Sequence, residues 1–206
     1  MPRGSTQAQN HPRRGSSIKV EPIRDLSAIK EIKNNLVEAG EWRNYCLFTL
    51  GINTAYRASE LMSLTIGQVE HLQPGDLLEI KEIKTWKYRA TTLNHSAWVA
   101  LDDWLRKHPQ NCNPDAPVFL SRRGTAALTV SSVGRLVKKW CKEIGLHGRY
   151  ASHSMRKTWG YQQRTLNDAP LPLLMRAYGH ATEAQTLTYL HIQERELRDL
   201  FLGLDL

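Results

Sequence analysis

"SHSMRKTWGYQQRTLND" spans residues 152–168 and contains a histidine and an arginine three residues apart. If this stretch is a helix capped by Ser152, His153 and Arg156 share one face, because residues three apart are neighbours on a helix surface. An isolated pair of this kind is typical of a solvated helix end. Its significance therefore depends on which other residues the fold brings to that face.

The composition is that of a globular protein with a basic surface. Hydrophobic residues make up 41% of the 206 residues, and the net charge is +8. Such a surplus suits a polyanionic partner such as nucleic acid, although basic proteins without one also exist. No apolar run is long enough for a membrane helix or a secretion signal. We therefore expect a cytoplasmic protein with no membrane partner.

Neither a disulfide framework nor a metal site is predicted. The odd number of cysteines, without a CxxC pair, favours reduced thiols at Cys46, Cys112 and Cys141. The side chains that zinc could use lack the spacing of zinc ligands: His147, His153, His180, His191 and Cys141. We expect no metal and no other cofactor.

The chain divides into an arm and one domain. Residues 1–20 are rich in Gly, Pro, Ser, Gln and Asn and are predicted to be a disordered basic arm. The arm either follows a DNA backbone or is an unstructured remnant. Residues 21–206 are predicted to form a single domain.

The domain is predicted to be α+β and mostly α, with a small three-stranded antiparallel sheet. A hairpin within residues 77–93 turns near Thr85–Trp86, and Val118–Leu120 supplies the third strand. Helices are predicted from the apolar periodicity and from breakers such as Gly40, Gly145 and Gly179. The helical regions are 25–39, 41–55, a short helix from residue 59, 95–107, 129–145, 152–168, a short helix from Pro170 to Gly179, the helix carrying Tyr189, and the tail.

Two features mark the last two helices. Thr182 and Gln185 form a T-x-x-Q capping box, which places Tyr189 about two turns into the helix. The tail then has an apolar face that must pack against something, made of Leu197, Leu200, Phe201 and Leu204.

Four motifs together resemble the tyrosine recombinase and phage integrase family. They are "TAYRASEL" with Arg57, "EIKTWKYR" with Lys84, "SHSMRKT" with His153 and Arg156, and "AYGHATEAQTLTYL" with His180 and Tyr189. The family pattern is an Arg in a "GxRxSEL"-like step, a Lys in a β-hairpin, an HxxR box, a "GH" and a Tyr about nine residues later. All six positions are filled in order within residues 25–200, so the resemblance implies a tyrosine recombinase catalytic-domain fold.

The chain departs from the family in two respects. Where members usually have "TGLR" or "TGMR", this chain has Ala55–Tyr56 before Arg57, and we expect little effect on catalysis. Most members also carry an N-terminal core-binding domain, whereas only about 25 residues precede the first predicted helix here. The sequence is then either an excised catalytic domain or a short single-domain member, without a core-binding domain.

The resemblance implies a site-specific DNA recombinase or integrase that works through a covalent 3′-phosphotyrosyl intermediate. Tyr189 would be the nucleophile, since a phenolate is a tolerable leaving group in the reverse step. Arg57 and Arg156 would hold the non-bridging phosphate oxygens with forked donors, without a metal.

The remaining catalytic assignments concern protons. Lys84 at the hairpin tip is implied to be the general acid for the 5′-hydroxyl, with Lys81 and Lys87 as rivals. His153 would exchange a proton near the tyrosine, and His180 would donate a hydrogen bond to the scissile phosphate.

Double-stranded DNA is the predicted partner. The residues predicted to contact it are Lys87, Arg122, Arg123, Lys138, Lys139 and Lys157. In the family the C-terminal helix docks onto a neighbouring protomer, which implies a tetramer on DNA and a monomer or weak oligomer without it. Packing of that helix on its own domain is the alternative.

Two other functions remain open. A type IB topoisomerase-like enzyme would use the same chemistry to relax DNA without exchanging partners. A non-catalytic DNA-binding accessory protein would keep the fold but is free to lose the six side chains.

Overall fold

Helices dominate the chain, with one small sheet between them. The computed structural model describes residues 20–81, 88–122, 124–190, 192 and 194–204. Within these ranges the elements in order are α1 (Leu26–Glu38), α2 (Trp42–Gly51), α3 (Ala58–Met62), α4 (Ile66–Val69), β1 (Leu77–Lys81), β2 (Tyr88–Thr92), α5 (His95–Leu105), α6 (Val130–Glu143), α7 (Ser152–Leu166), α8 (Leu171–Tyr178), α9 (Glu183–Leu190) and α10 (Glu194–Leu202). The predicted helical regions are confirmed, although α2 ends at Gly51 instead of near Ala55, and α4 lies outside the predicted regions. Except for Val20, the predicted arm lies outside the described residues.

The first two helices follow from their caps and their apolar faces. Asp25 accepts a hydrogen bond from the Ser27 amide, 2.8 Å away, which satisfies an amide that has no partner inside α1. Gly40 ends the helix region in the left-handed conformation, with φ of +66°. Helix α2 packs against α1, α5 and α7 and is buried along most of its length, as its apolar sequence predicts.

The sheet has two antiparallel strands in the part of the chain that the structure describes, so the prediction of a third is wrong. Leu77 pairs with Thr92, and Lys81 pairs with Tyr88. The region of Val118–Leu120 forms only isolated bridges, one from Thr65 to Pro117 and one from Leu120 to Ala127. The two bridges join this segment to two different loops. Val118–Leu120 is therefore buried in the core but does not extend the sheet.

Helix α7 begins where predicted, but its cap is different. Ala151 is the N-cap residue, and Ser154 provides the side chain: its Oγ accepts a hydrogen bond from the Ala151 amide at 3.0 Å. Ser152 is itself the first helical residue and is buried. The capping prediction for Ser152 is therefore wrong: Ser152 is the first residue inside α7, and the side-chain hydrogen bond at this end runs from the Ala151 amide to Ser154.

A proline and a glycine mark the two ends of α8, and a side-chain cap marks the start of α9. Pro170 precedes α8, and Gly179 closes it in the left-handed conformation, with φ of +65°. The Thr182 hydroxyl accepts from the Gln185 amide at 3.3 Å, as the capping box requires. The Gln185 side chain, however, accepts from the Ala181 amide, one residue earlier than the motif predicts.

Two apolar clusters support the domain. The larger one joins α1, α2, α5, α6 and the hairpin, while a smaller one contains Ala55, Leu174, Tyr178 and Leu190. The smaller cluster links the step before α3 to α8 and α9. It therefore fixes the three elements that carry Arg57, His180 and Tyr189.

Helix α10 leaves its apolar face uncovered. Leu200 and Phe201 are 71% and 80% exposed, and Leu197 and Leu204 are exposed as well. An ion pair of 2.5 Å between Arg164 and Glu196 joins α10 to α7. None of the helices described is long and apolar enough to cross a membrane.

Candidate active site

Arg57 stands at the start of α3 and is held by Glu60. Its amide donates to Glu60 Oε2 at 2.5 Å, and its guanidinium donates to Glu60 Oε1 at 2.6 Å. Glu60 is buried, whereas about a third of the Arg57 side chain is exposed. The carboxylate thus orients the guanidinium while leaving part of it open to a ligand.

Arg156 approaches the same carboxylate from α7. Its side chain is 2% exposed, and its Nη2 donates to the Tyr178 carbonyl oxygen at 2.5 Å. Its Nη1 lies 3.7 Å from Glu60 Oε2 and makes no hydrogen bond within the described residues. A buried donor without an acceptor is unfavourable, so this nitrogen suits an incoming anionic oxygen.

Arg156 remains a cation in this setting. Burial, with Arg89 and Arg57 nearby, lowers its pKa to about 10. The guanidinium is therefore still protonated at neutral pH. Two arginines that share one carboxylate retain net positive charge for a phosphate.

Tyr189 on α9 meets His153 at the start of α7. The Tyr189 hydroxyl oxygen lies 2.9 Å from His153 Nδ1. Burial raises the pKa of the Tyr189 phenol, and Arg156 and Arg57 offset part of that rise. Burial, Arg156, Arg57 and Lys157 lower the pKa of His153 below its usual 6.5. At neutral pH a protonated phenol thus faces a neutral imidazole.

His180 follows the left-handed Gly179 and is fixed on two sides. Its Nδ1 lies 3.1 Å from the buried Thr186 hydroxyl, and its ring stacks on Tyr178 at 4.9 Å. Burial and the neighbouring arginines lower the pKa of His180 to about 4. If Thr186 donates to Nδ1, the Nε2 of this neutral ring carries the proton and can act as a donor.

Tyr178 is fully buried and lies against Arg156, His180 and Tyr189. Its hydroxyl donates to the Arg156 carbonyl oxygen at 3.1 Å, which complements the bond from Arg156 to its own carbonyl. Its ring also meets Tyr189 edge-on, with the centroids 5.0 Å apart. Gly160 makes room for this tyrosine, since a Cβ atom there would lie 1.7 Å from the Tyr178 hydroxyl oxygen.

The structure brings five of the six predicted catalytic residues together: Arg57, His153, Arg156, His180 and Tyr189. An open cavity of about 680 Å³ is lined by Arg57, His180 and Tyr189, among others. Lys84, the sixth, lies outside the described residues, as do Lys87 and Arg123. The roles of all six stay predictions.

Two residues near the site have contacts that the sequence did not suggest. Arg89 on β2 donates to both carboxylate oxygens of Glu60, at 2.9 and 3.0 Å. Lys157, predicted to contact DNA from the surface, is only 6% exposed, and its Nζ lies 5.2 Å from the centroid of the Tyr189 ring. The surface placement of Lys157 is wrong, because α7 docks with this residue facing α9.

The other predicted DNA contacts that the structure describes lie at the surface. Lys138 and Lys139 are exposed on α6, and Lys139 pairs with Glu143 at 3.4 Å. Arg122 is exposed and lies 3.3 Å from Glu41. Among the residues described, no cluster of three His, Cys, Asp or Glu side chains could hold a metal ion.

A mostly helical domain in which a tyrosine, two arginines and two histidines converge defines the catalytic-domain class of tyrosine recombinases. The chain belongs to the phage integrase family, whose family model matches residues 23–196.

Relatives of known description agree with this assignment. A probable integrase/recombinase YoeC of Bacillus subtilis is 31% identical over 181 residues, covering 87% of this chain and 93% of that protein. A tyrosine recombinase XerC of Caldanaerobacter subterraneus subsp. tengcongensis is 28% identical over 176 residues, covering 84% of this chain. The chain spans about half (48%) of that XerC.

Solved structures share the fold. The crystal structure of a XerA recombinase has a TM-score of 0.73 and 22% identity, covering 94% of this chain and 66% of that one. A XerH site-specific recombinase bound to a palindromic difH substrate, in a post-cleavage complex, has a TM-score of 0.70 and 22% identity, covering 89% and 53%.

Proposed function

We propose that this protein is a site-specific DNA recombinase or integrase that cleaves and rejoins DNA through a 3′-phosphotyrosyl intermediate. The observation that carries the proposal is the meeting of the Tyr189 hydroxyl with His153, 2.9 Å away, beside the buried Arg156. A nucleophile, a proton acceptor and a guanidinium are what an attack on a phosphodiester requires.

The cleavage step assigns each group one task. The Tyr189 oxygen bonds to phosphorus as its proton passes to neutral His153, and the bond from phosphorus to the 5′-oxygen breaks. Arg57 and Arg156 hold the non-bridging oxygens, on which negative charge accumulates. His180 donates a hydrogen bond to one of those oxygens. Lys84 would protonate the leaving 5′-oxygen, which departs as the 5′-hydroxyl, and the reverse steps rejoin the strand.

Double-stranded DNA is the proposed substrate. The exposed cations on α6 and the net charge of +8 favour a phosphate backbone. The XerH recombinase that shares this fold is bound to a difH substrate in a post-cleavage complex, which is consistent with a cleavage reaction on this fold.

The test is incubation with a nicked DNA substrate that traps the covalent intermediate. We expect wild-type protein to form an adduct that resists denaturation, and Tyr189→Phe to form none. Tyr161→Phe, which changes a tyrosine that none of the proposed steps uses, is the matched control and should keep the adduct. An adduct that persists in Tyr189→Phe would disprove the nucleophile, and no adduct in the wild type would disprove the activity.

We also propose that protomers assemble into a tetramer on DNA through α10. The exposed face of Leu200 and Phe201 supports this, since apolar patches of this kind mark interaction sites. Leu200→Glu with Phe201→Glu should leave a monomeric complex on DNA in gel filtration, whereas Arg198→Gln on the same helix should not. Equal elution of both variants with wild type would contradict the proposal.

A further inference from the structure

Arg89 connects three elements around the site. It lies on β2 opposite Ile80, and 14% of its side chain is exposed. Its Nη1 donates to both oxygens of Glu60, and its Nη2 donates to the Ala177 carbonyl oxygen at 2.6 Å. One guanidinium therefore bonds β2 to α3 and to the last turn of α8.

Glu60 is the common partner of three arginines. Its carboxylate lies 2.6 Å from Arg57 Nη1, 2.9 Å from Arg89 Nη1 and 3.7 Å from Arg156 Nη1. Of the three, Arg57 opens onto the cavity and Arg156 has a buried donor without an acceptor. The two Nη atoms of Arg89 instead bond to the protein itself. Arg89 is thus suited to hold the carboxylate, and the other two to bind the phosphate.

The hydrogen bond from Arg89 to the Ala177 carbonyl oxygen also connects Arg89 to His180. Ala177 precedes Tyr178, whose carbonyl accepts from Arg156 and whose ring stacks on His180. Fixing the Ala177 carbonyl fixes the chain just before Gly179 turns into the left-handed conformation. The direction of His180 therefore depends on the same guanidinium as the direction of Glu60.

We propose that Arg89 is a positioning residue for DNA cleavage, acting through Glu60 on Arg57 and Arg156 and through the end of α8 on His180. This inference rests on the proposed function. It predicts that charge alone is insufficient, because a lysine lacks the planar fork that reaches Glu60 and Ala177 together.

The test compares single-turnover adduct formation by the wild type, Arg89→Lys, Glu60→Gln and the double variant on the nicked substrate. We expect each single variant to slow adduct formation about 10- to 100-fold while DNA affinity stays within about twofold, since small displacements of reacting groups have effects of this size. In the Glu60→Gln background, Arg89→Lys should slow the reaction less than it does in the wild type, because the route through the carboxylate is already lost and only the route through the end of α8 remains. Arg106→Lys, at an exposed ion pair on α5, is the control and should react as the wild type does.

Each outcome decides the inference. Circular dichroism first establishes the temperature at which the variants are folded, and if Arg89→Lys does not fold, Arg89→Gln takes its place in the comparison. Wild-type rates in Arg89→Lys or in Glu60→Gln, or effects of the two that simply multiply, would overturn it while leaving the proposed function intact. Absence of an adduct in the wild type would overturn both.

Discussion

The hydroxyl oxygen of Tyr189 lies 2.9 Å from Nδ1 of His153, and burial displaces the pKa values of the two groups in opposite directions. The phenol keeps its proton more firmly than a free tyrosine, while the imidazole is more readily neutral than a free histidine. In the tautomer with its proton on Nε2, neutral His153 accepts at Nδ1 from the Tyr189 hydroxyl, which is the arrangement that proton removal from the nucleophile requires.

This pairing predicts how cleavage depends on pH. Only neutral His153 accepts the proton, and its pKa lies below 6.5 because of burial and the cations Arg156, Arg57 and Lys157. Adduct formation should be constant between about pH 6.5 and 8 and should fall as the pH drops through that lowered pKa. Single-turnover rates across this range would measure the profile.

His153→Gln supplies the control for that profile. The variant keeps hydrogen-bonding groups but has no titratable ring, so its rate should be lower by about 10²–10⁴-fold and should lose the acid limb. His147→Gln changes an exposed histidine and should leave the profile unchanged. A His153→Gln profile identical in shape to that of the wild type would refute the role of His153 as acceptor.

Thr186 is predicted to set the tautomer of His180. Its buried hydroxyl lies 3.1 Å from His180 Nδ1, so Thr186→Val removes a donor with little change in shape. Without that donor, the single proton of the neutral His180 ring is no longer held on Nε2. In part of the molecules it then lies on Nδ1 instead. We expect adduct formation to slow about 10-fold with unchanged DNA affinity. Thr165→Val, on the exposed side of α7, should react normally, and equal rates in both variants would count against this assignment.

Gly160→Ala is predicted to disturb the packing of Tyr178 and, through it, the candidate active site. A methyl group there would lie 1.7 Å from the Tyr178 hydroxyl oxygen and 2.6 Å from its Cζ, so Gly160→Ala must displace a fully buried ring. Overpacking of this kind costs about 1–3 kcal/mol of unfolding free energy. Urea denaturation should detect this loss, and cleavage should slow because Tyr178 supports Arg156 and His180.

Gly134→Ala is the matched control on α6. The nearest atom to its new methyl group would be the Ser152 nitrogen at 3.6 Å, an ordinary contact. In a helix interior, alanine is favoured over glycine by about 0.5–1 kcal/mol, so this variant should become more stable. If Gly160→Ala proved as stable as Gly134→Ala, the close fit of Tyr178 would be contradicted.

Short-range spacing explains what could be predicted from the sequence. His153 and Arg156 share a face because they are three apart on α7, and Tyr189 reaches them because a "GH" turn and a capped helix precede it. The left-handed Gly179 could be expected from its place after a helix. Local chemistry determines each of these features, so they are visible in one stretch of chain.

Long-range docking explains what could not be predicted. Nothing near Arg89 in sequence indicates that its partners are Glu60 and Ala177, since β2 meets α3 and α8 only in the folded domain. Lys157 resembles a surface lysine, yet α7 is covered on most sides and buries it. Val118–Leu120 has the composition of a strand, but its region forms only isolated bridges, to Thr65 and to Ala127. These features depend on contacts between segments distant in sequence.

Lys138 and Lys139 are predicted to contribute to the salt dependence of DNA affinity. Each phosphate that a protein neutralises adds about 0.9 to the slope of log affinity against log salt. Lys138→Gln with Lys139→Gln should therefore reduce the slope by up to about 2. Lys30→Gln, an exposed charge change on α1, should alter it less. A slope unaffected by the α6 changes would mean that this face does not contact the backbone.

Replacing alanine by glycine is predicted to stabilise the protein at position 55 and to destabilise it at position 28. It is buried with φ of +56°, a conformation that costs an alanine about 1–2 kcal/mol relative to glycine. Ala55→Gly removes this strain, although glycine loses more entropy on folding, so unfolding free energy should rise by about 0.5–1 kcal/mol. Ala28→Gly inside α1 should instead lower it by about 1 kcal/mol. Urea denaturation of both variants checks the signs. Cleavage by Ala55→Gly should match the wild type, since Glu60 holds Arg57 independently of the residue two positions earlier. A fall in stability in both variants would mean that the buried methyl group outweighs the strain.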